Sequence, residues 1–167
     1  PHRAGEDGKL ALIHNGIIEN FHPLKTALLA AGATFESETD TEVAAHLVAR
    51  EYATTGDLTV AMQNVANRLE GAFTLLAVHA DSPGVVVGAR RNSPLVVGLG
   101  EGENFLGSDV AAFIGHTRNA LELGQDQIVT ITPDSYSVIN FDGSPAEGKH
   151  YEVTWDGTRH FAYGYGD

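Results

Sequence analysis

The residues of this sequence best suited to chemistry are Asn15 and Gly16, which follow the apolar residues 10–13 and His14, itself interpreted as a hydrogen-bonded core histidine. Asn-Gly is a turn signal because both residues adopt positive φ at little steric cost, and a plain turn after a buried strand is the ordinary interpretation. The same geometry has a chemical use. On a tight turn, the Asn15 side-chain NH2 and the Gly16 backbone N–H would be two donors aimed at one point, as an oxyanion hole requires.

A second candidate is Asp40, in the polar segment 37–42 that precedes the apolar residues 43–48. Thr39 and Glu42 have the spacing of a capping box, which predicts that a helix begins here. An aspartate at a helix start is usually a cap worth about 1 kcal/mol. If Thr39 or Thr41 caps the helix instead, the Asp40 carboxylate is free to bind a ligand ammonium group. The residues alone leave both interpretations open.

Other residue groups favour structural roles. The eight histidines include no pair with His-x-x-x-His spacing and a third ligand nearby, so the sequence predicts no metal site and no cofactor. Residues 98–102 are glycine-rich but lack the Lys-Ser/Thr and the long helix of a phosphate loop. The pair 108–109 lacks the context of a nucleophile elbow and is interpreted as the N-cap of a short helix. The arginine pair 90–91 is interpreted as a solvated turn, and residues 1–9 as a polar loop.

The composition predicts one soluble domain. The chain has 167 residues, of which 43% are hydrophobic and 19% charged, enough for one sizeable core. The net charge of −12 argues against nucleic acid and anionic membranes as main partners. No apolar stretch approaches the roughly 18 residues of a membrane span. The absence of cysteine excludes disulfides and a cysteine nucleophile within this chain, and we expect a cytoplasmic protein.

The hydrophobic pattern predicts helices in the first part of the chain and strands in the second. The predicted helices cover residues 20–31, 40–52, 58–69 and 110–114. The predicted strands cover residues 10–14, 72–78, 85–90, 95–99, 128–131, 136–141 and 149–155. This order favours an α+β fold with largely antiparallel sheets over a parallel βαβ fold.

Several motifs together resemble one family. They are His-Asn-Gly-Ile-Ile-Glu-Asn at 14–20, Ser-Glu-Thr-Asp-Thr-Glu-Val at 37–43, and the segments 45–48, 69–73, 93–100, 102–105 and 108–109. In this order and spacing, the chain to about Trp155 closely resembles the glutaminase domains of the glutamine–fructose-6-phosphate aminotransferases. Its likeness to the purine and asparagine amidotransferases of the same class is looser.

The resemblance implies a fold and a chemistry. The fold is the four-layer αββα sandwich of N-terminal nucleophile hydrolases, an α+β fold with antiparallel sheets. The family attacks the amide of glutamine with an N-terminal cysteine thiol, with its own α-amine as base. Ammonia then passes to a separate sugar isomerase domain, which makes glucosamine 6-phosphate. By resemblance, Asn15 and Gly16 form the oxyanion hole, Asp40 and Gly16 bind the substrate, Asp40 holds the α-ammonium of glutamine, and the enzyme is a homo-oligomer.

The sequence also departs from the family pattern, because it contains no cysteine, no Arg-Trp-x-Thr-His segment and no isomerase domain. We therefore interpret residues 1–155 as a partial type 2 glutamine amidotransferase domain without its N-terminal part, and residues 156–167 as an irregular tail. We expect this chain alone to be inactive and to be marginally stable or self-associating. The alternatives are a non-catalytic glutamine-binding or interaction module, another class II glutamine amidotransferase, and an unrelated enzyme that uses the Pro1 amine.

Overall fold

The structure, a computed structural model, describes residues 1–154. The predicted tail 156–167 and the end of the last predicted strand lie outside the described residues. Within residues 1–154 the chain forms two antiparallel sheets, three α-helices and two short 3-10 helices. The prediction of an α+β fold with antiparallel sheets is confirmed.

The helices and strands have the following bounds. The strands are β1 (His2–Ala4), β2 (Leu10–Ile18), β3 (Gly71–His79), β4 (Val86–Arg91), β5 (Val96–Leu99), β6 (Asn104–Gly107), β7 (Asn119–Glu122), β8 (Gln127–Ile131), β9 (Tyr136–Asn140) and β10 (Lys149–Glu152). The α-helices are α1 (Phe21–Ala30), α2 (Asp40–Thr55) and α3 (Leu58–Ala66), and the 3-10 helices are Glu6–Gly8 and Val110–Ala112. One sheet has the strand order β1-β2-β3-β4-β8-β9, and the other has the order β10-β7-β5-β6.

Three apolar clusters separate the layers of the fold. The largest joins the helices to the six-stranded sheet and includes Met62 and Phe73, both fully buried. The second lies between the two sheets and includes Leu121 and Val129. The third lies against the other face of the four-stranded sheet, where Phe113 follows the second 3-10 helix. The layer order is therefore helices, six-stranded sheet, four-stranded sheet and a last layer that is reduced to this 3-10 helix within residues 1–154.

Several local predictions are wrong because the elements concerned are short. The predicted polar loop over residues 1–9 contains β1, which pairs with β2 from His2 against Leu12, and a 3-10 helix. The strands β6 and β7 have four residues each and were absent from the prediction, since four residues carry too little periodicity to be recognised. Helix α3 ends at Ala66 rather than at residue 69.

The arginine pair 90–91 is not a solvated turn. Both residues lie in β4 and are partly buried. Arg91 donates from Nε to Asp126 Oδ1 at 2.8 Å and from Nη1 to the carbonyl of Leu69 at 2.9 Å. Arg90 donates from Nη1 to the carbonyl of Leu123 at 2.9 Å. The long apolar stems enter the fold while the guanidinium groups reach fixed acceptors, which explains why these charges can sit in a strand.

None of the three helices in the described part of the chain is both long and apolar enough to cross a membrane.

Candidate functional site

Asn15 and Gly16 lie inside β2 rather than on a turn after it. The strand continues to Ile18 and stays paired with β3, with Gly16 opposite Phe73 and Ile18 opposite Gly71. The predicted end of the strand at residue 14 is therefore wrong. Pairing with a strand more than 50 residues away overrides the local turn signal, and Gly16 uses its positive φ of 105° to distort the strand without reversing it.

The backbone around Gly16 is too close to β3 for a side chain. A Cβ on Gly16 would collide with the carbonyl oxygen of Ala72, and a Cβ on Gly71, whose φ is 115°, would collide with the carbonyl oxygen of Ile17. At each glycine, the absence of a side chain therefore allows a carbonyl group of the other strand to come close. This mutual approach fixes the backbone of β2 at the residues proposed to do the chemistry.

The Asn15 side chain leaves β2 on the side of the four-stranded sheet. Its Nδ2 donates a hydrogen bond to Ser108 Oγ at 3.1 Å. Both residues line a cavity of about 170 Å³, together with Thr74 and apolar side chains of both sheets. This is small beside the roughly 300–1,000 Å³ of pockets for drug-sized ligands, so it suits the end of one short side chain.

A larger cavity, of about 500 Å³, lies at the opposite end of β2. It is lined by Lys9, His79, Pro133 and their neighbours, and it includes none of the candidate residues. Its size alone does not make it the functional site, because none of the residues that the sequence motifs single out lines it.

Asp40 is the first residue of α2, but it does not cap the helix. Its Oδ2 accepts a hydrogen bond from the backbone N–H of Ile18 at 2.9 Å, and its side chain is 23% exposed. Thr39 occupies the N-cap position without a side-chain capping bond, and its hydroxyl lies 2.9 Å from that of Ser37. The predicted capping box is thus wrong. The Asp40 carboxylate joins the start of α2 to the end of β2.

His14 lies beneath Asp40 and is buried, with 2% of its side chain exposed. Its Nδ1 is 3.0 Å from Thr41 Oγ1 and 3.8 Å from Asp40 Oδ1, and its Nε2 has no hydrogen-bond partner among the described residues. Burial lowers the pKa of His14 more than the charge of Asp40 raises it. The imidazole is therefore mainly neutral at pH 7, so His14 does not neutralise the Asp40 carboxylate.

Glu42 holds the loop that leads into α2. It is 4% exposed, and its carboxylate accepts hydrogen bonds from the backbone N–H groups of Glu36 and Ser37, at 2.9 Å and 2.7 Å, and from the Ser37 hydroxyl at 2.6 Å. His46 Nε2 lies 3.3 Å away. Burial raises the pKa of Glu42, but these hydrogen bonds outweigh it, so the pKa is lowered overall. The sequence indicated a capping role for Glu42, whereas the backbone N–H groups that bond to it belong to residues five and six positions earlier.

The candidate residues therefore meet at one end of β2. Asn15 and Gly16 are neighbours in the strand, and Asp40 is bonded to Ile18, two residues further on. Because successive side chains of a strand point to opposite faces, His14 lies toward the helices and Asn15 toward the four-stranded sheet. The sequence did not indicate the contact with Ser108, which is 93 residues from Asn15. The pair 108–109 was interpreted as an N-cap, and Asp109 does cap the 3-10 helix by accepting from Ala111 N at 3.0 Å.

Comparison with known sequences gives one family and a consistent group of relatives. A family model described as a glutamine amidotransferase domain matches residues 1–115. The glutamine–fructose-6-phosphate aminotransferase (isomerizing) of Leifsonia xyli subsp. xyli is 66% identical over 158 residues, and that of Streptomyces coelicolor is 62% identical over 158 residues. Each match covers 95% of this chain and 26% of the relative, so the chain spans about a quarter of the length of the curated relatives it matches.

Comparison with solved structures gives the same class of protein. Glutamine phosphoribosylpyrophosphate amidotransferase from B. subtilis, complexed with ADP and GMP, superposes with a TM-score of 0.67 at 28% identity, covering 84% of this chain and 30% of that chain. An allosteric regulatory enzyme of purine biosynthesis gives a TM-score of 0.65 at 28% identity, covering 79% and 28%. Together with the helix layer and the two antiparallel sheets, these likenesses confirm the predicted fold class.

Proposed function

Because this chain belongs to the glutamine amidotransferase family, we propose that it is the glutamine-binding part of a glutamine–fructose-6-phosphate aminotransferase. In such an enzyme the amide nitrogen of glutamine is released as ammonia and used to make glucosamine 6-phosphate from fructose 6-phosphate. The names of the relatives that are 62% and 66% identical to the chain support this choice over other amidotransferases, whose structures are 28% identical.

We propose that the γ-amide of glutamine lies beside Asn15 and Gly16. The Asn15 side-chain NH2 and the Gly16 N–H would stabilise the oxygen of the amide as it gains negative charge, which is the role of an oxyanion hole. The close contact between the backbones of β2 and β3 at Gly16 supports this role, because it fixes the backbone that carries the two donors. Hydrogen-bond donors stabilise a developing charge best when they need no reorganisation.

The α-ammonium of glutamine would bind Asp40. The observation that carries this proposal is the hydrogen bond of 2.9 Å from Ile18 N to Asp40 Oδ2, which holds the carboxylate two residues beyond Gly16. Two residues of strand span about 6.6 Å. The four bonds of about 1.5 Å between the α-nitrogen and the amide carbon of an extended glutamine span about 5 Å, so one molecule can reach both places.

The charge balance around Asp40 also favours an ammonium ligand. His14 is mainly neutral at pH 7, as its lowered pKa implies, and therefore does not neutralise the carboxylate. A partly exposed aspartate with one oxygen bonded to the backbone retains capacity to accept from a cation.

Hydrolysis needs a nucleophile that this chain does not supply as a thiol, since it contains no cysteine. We propose that residues 1–155 bind glutamine and polarise its amide but do not hydrolyse it by themselves, because the thiol is missing. Oxyanion stabilisation without the nucleophile leaves only a small residual rate enhancement. The proposed partners are glutamine, a sugar isomerase domain and further copies of the enzyme in the cytoplasm.

The experiment is titration calorimetry of the purified chain with L-glutamine and L-glutamate, before and after Asp40→Asn. Asparagine keeps an acceptor for Ile18 N–H but removes the charge. We expect Asp40→Asn to weaken glutamine binding about ten- to a hundredfold, the effect of losing a hydrogen bond to a charged group.

Asp134→Ala, which removes an exposed aspartate from the turn between β8 and β9, is the control and should bind glutamine like the unaltered chain. Undiminished binding by Asp40→Asn, or no binding by the unaltered chain, would refute the proposed site. Glutamine turnover by the chain of the order of 10 per second, a typical enzyme rate, would refute the proposed lack of hydrolysis.

A further inference from the structure

The hydrogen bond between Asn15 and Ser108 joins the two sheets at the proposed oxyanion hole. Asn15 belongs to β2 of the six-stranded sheet, and Ser108 follows β6 of the four-stranded sheet. Both residues are exposed, so water could satisfy their polar groups. The need to satisfy buried polar groups therefore does not explain this hydrogen bond.

We propose that Ser108 is a positioning residue, which holds the Asn15 side-chain amide with its NH2 group directed at the substrate oxygen. This inference rests on the proposed function and names a residue that acts through Asn15 rather than on the substrate. An amide NH2 has two hydrogens. When one is donated to Ser108 Oγ, the other is directed by the plane of the amide and remains available for the ligand.

Without Ser108, the orientation of Asn15 would be poorly defined. The terminal torsion of asparagine is broad and roughly two-fold, so the amide can present either its NH2 or its carbonyl oxygen at the same place. A carbonyl oxygen facing the developing negative charge would repel it. In the structure Ser108 Oγ accepts from Asn15 Nδ2 at 3.1 Å, which is the orientation that leaves the second N–H of the amide for the substrate oxygen.

Ser108 can hold the Asn15 amide in place because its own backbone is fixed. The preceding Gly107 pairs with Val96 in the four-stranded sheet, and a Cβ on Gly107 would lie 2.8 Å from the Cβ of Ala112. On the other side, the Asp109 carboxylate accepts from Ala111 N at 3.0 Å and starts the 3-10 helix. The hydroxyl thus sits between a strand end and a capped helical turn, and it lines the same cavity of about 170 Å³ as Asn15.

The first measurement needs no ligand. In ¹H–¹⁵N spectra of the chain, the Asn15 side-chain NH2 pair is identified by its loss in Asn15→Asp. We expect Ser108→Ala to move this pair toward the shifts of a solvated asparagine and to speed its exchange with water. Ser108→Thr keeps the hydroxyl and should preserve the pair. An Asn15 pair unchanged in Ser108→Ala would overturn the inference whether or not glutamine binds.

The second measurement uses two ligands, L-glutamine and L-norvaline, which has an apolar side chain in place of the amide. Ser108→Ala should weaken glutamine binding about fivefold, as for the loss of one neutral hydrogen bond, and leave norvaline binding unchanged. Ser108→Thr should restore glutamine binding. Ser137→Ala, an exposed serine in β9, is the matched control and should change neither affinity.

The outcomes separate this inference from the proposed function. Equal losses for glutamine and norvaline in Ser108→Ala would show a general structural effect and overturn the positioning role. Glutamine binding by the unaltered chain that is insensitive to Ser108→Ala would overturn it as well. Failure of the unaltered chain to bind either ligand would instead refute the proposed function, and the positioning of an amide for a substrate would fail with it.

Discussion

At the scale of single residues, Asp40 and His14 set the charge at the end of β2. The two side chains approach to 3.8 Å, yet His14 is buried and its pKa is lowered, so the pair is an anion beside a neutral imidazole at pH 7. Protonation of His14 would place a cation where it would compete with the proposed ligand ammonium for Asp40. The burial of one histidine therefore keeps the neighbouring carboxylate available.

This arrangement predicts a pH dependence of stability. An unfolded histidine titrates near 6.5, whereas burial lowers the pKa of His14 in the folded chain. Between the two values the unfolded state binds more protons, so the free energy of unfolding falls as the pH drops below about 6.5 and levels off below the folded pKa. The slope due to His14 is limited to about 1.4 kcal/mol per pH unit. Urea unfolding between pH 7.5 and pH 5 measures it.

His14→Asn removes the titrating group and should make the free energy of unfolding less dependent on pH over this range. His22→Asn changes an exposed histidine and should retain the dependence of the unaltered chain. Equal slopes in the unaltered chain and in His14→Asn would contradict the prediction.

At the scale of elements, the start of α2 is held from two directions. Asp40 accepts a hydrogen bond from the backbone of β2 at Ile18. Glu42 accepts hydrogen bonds from the backbone of the preceding loop at Glu36 and Ser37. Neither carboxylate serves as a cap for its own helix. The helix start is therefore positioned against the sheet by acidic side chains, which fixes where the Asp40 carboxylate lies.

Glu42→Gln should lower the free energy of unfolding by about 1.5–3 kcal/mol at pH 7, the worth of hydrogen bonds to a charged group. The pKa of Glu42 is lowered from 4.5 on folding, so its contribution is full above about 4.5 and is lost as the pH falls through the folded pKa. The difference between the unaltered chain and Glu42→Gln should thus narrow at acid pH. Chemical unfolding at pH 7 and pH 3.5 tests both statements.

Glu38→Gln is the control, because the Glu38 side chain is fully exposed. It should change the free energy of unfolding by less than about 0.5 kcal/mol at either pH. A similar loss in the two variants would mean that the contacts of Glu42 have no special weight.

The elements also show how far sequence can predict this molecule. Long periodic segments such as α2 and β3 were predicted within a few residues, since hydrophobic spacing alone determines them. The Asn15–Gly16 turn was predicted wrongly because pairing with β3 depends on residues far along the chain. The motifs identified Asn15, Gly16 and Asp40 as candidates. The hydrogen bonds of Asp40 with Ile18 and of Asn15 with Ser108 depend on tertiary packing, which no local sequence pattern contains.

At the scale of the whole molecule, the two sheets differ in width. The four-stranded sheet ends at β6 and leaves the inner face of β2 and of part of β3 uncovered, where Ile13 is 47% exposed and Val78 is 42% exposed. The cavities of about 170 Å³ and 500 Å³ both lie along this face. Unpaired strand edges and exposed apolar residues in one place favour association with other chains.

We therefore expect the purified chain to self-associate with increasing concentration. The net charge of −12 opposes contact between copies, so association should increase when salt screens this repulsion. Sedimentation velocity across a concentration series, at roughly 0.02 M and 0.5 M ionic strength, measures both effects. Ile13→Lys should shift the chain toward monomer.

Val60→Lys is the matched control, since Val60 is an exposed valine on α3, away from this face. It should associate like the unaltered chain at high salt. A monomer at all concentrations, with a sharp two-state transition and a stability above roughly 5 kcal/mol, would contradict this prediction.

The two glycines at the contact between β2 and β3 have a consequence for the inheritance of this segment. Gly16 and Gly71 each face a main-chain carbonyl of the opposite strand, and a carbonyl is present whatever residue carries it. A harmful replacement of either glycine therefore has no second-site suppressor among the side chains that face it. Genetic selection for revertants of such a replacement should return glycine itself.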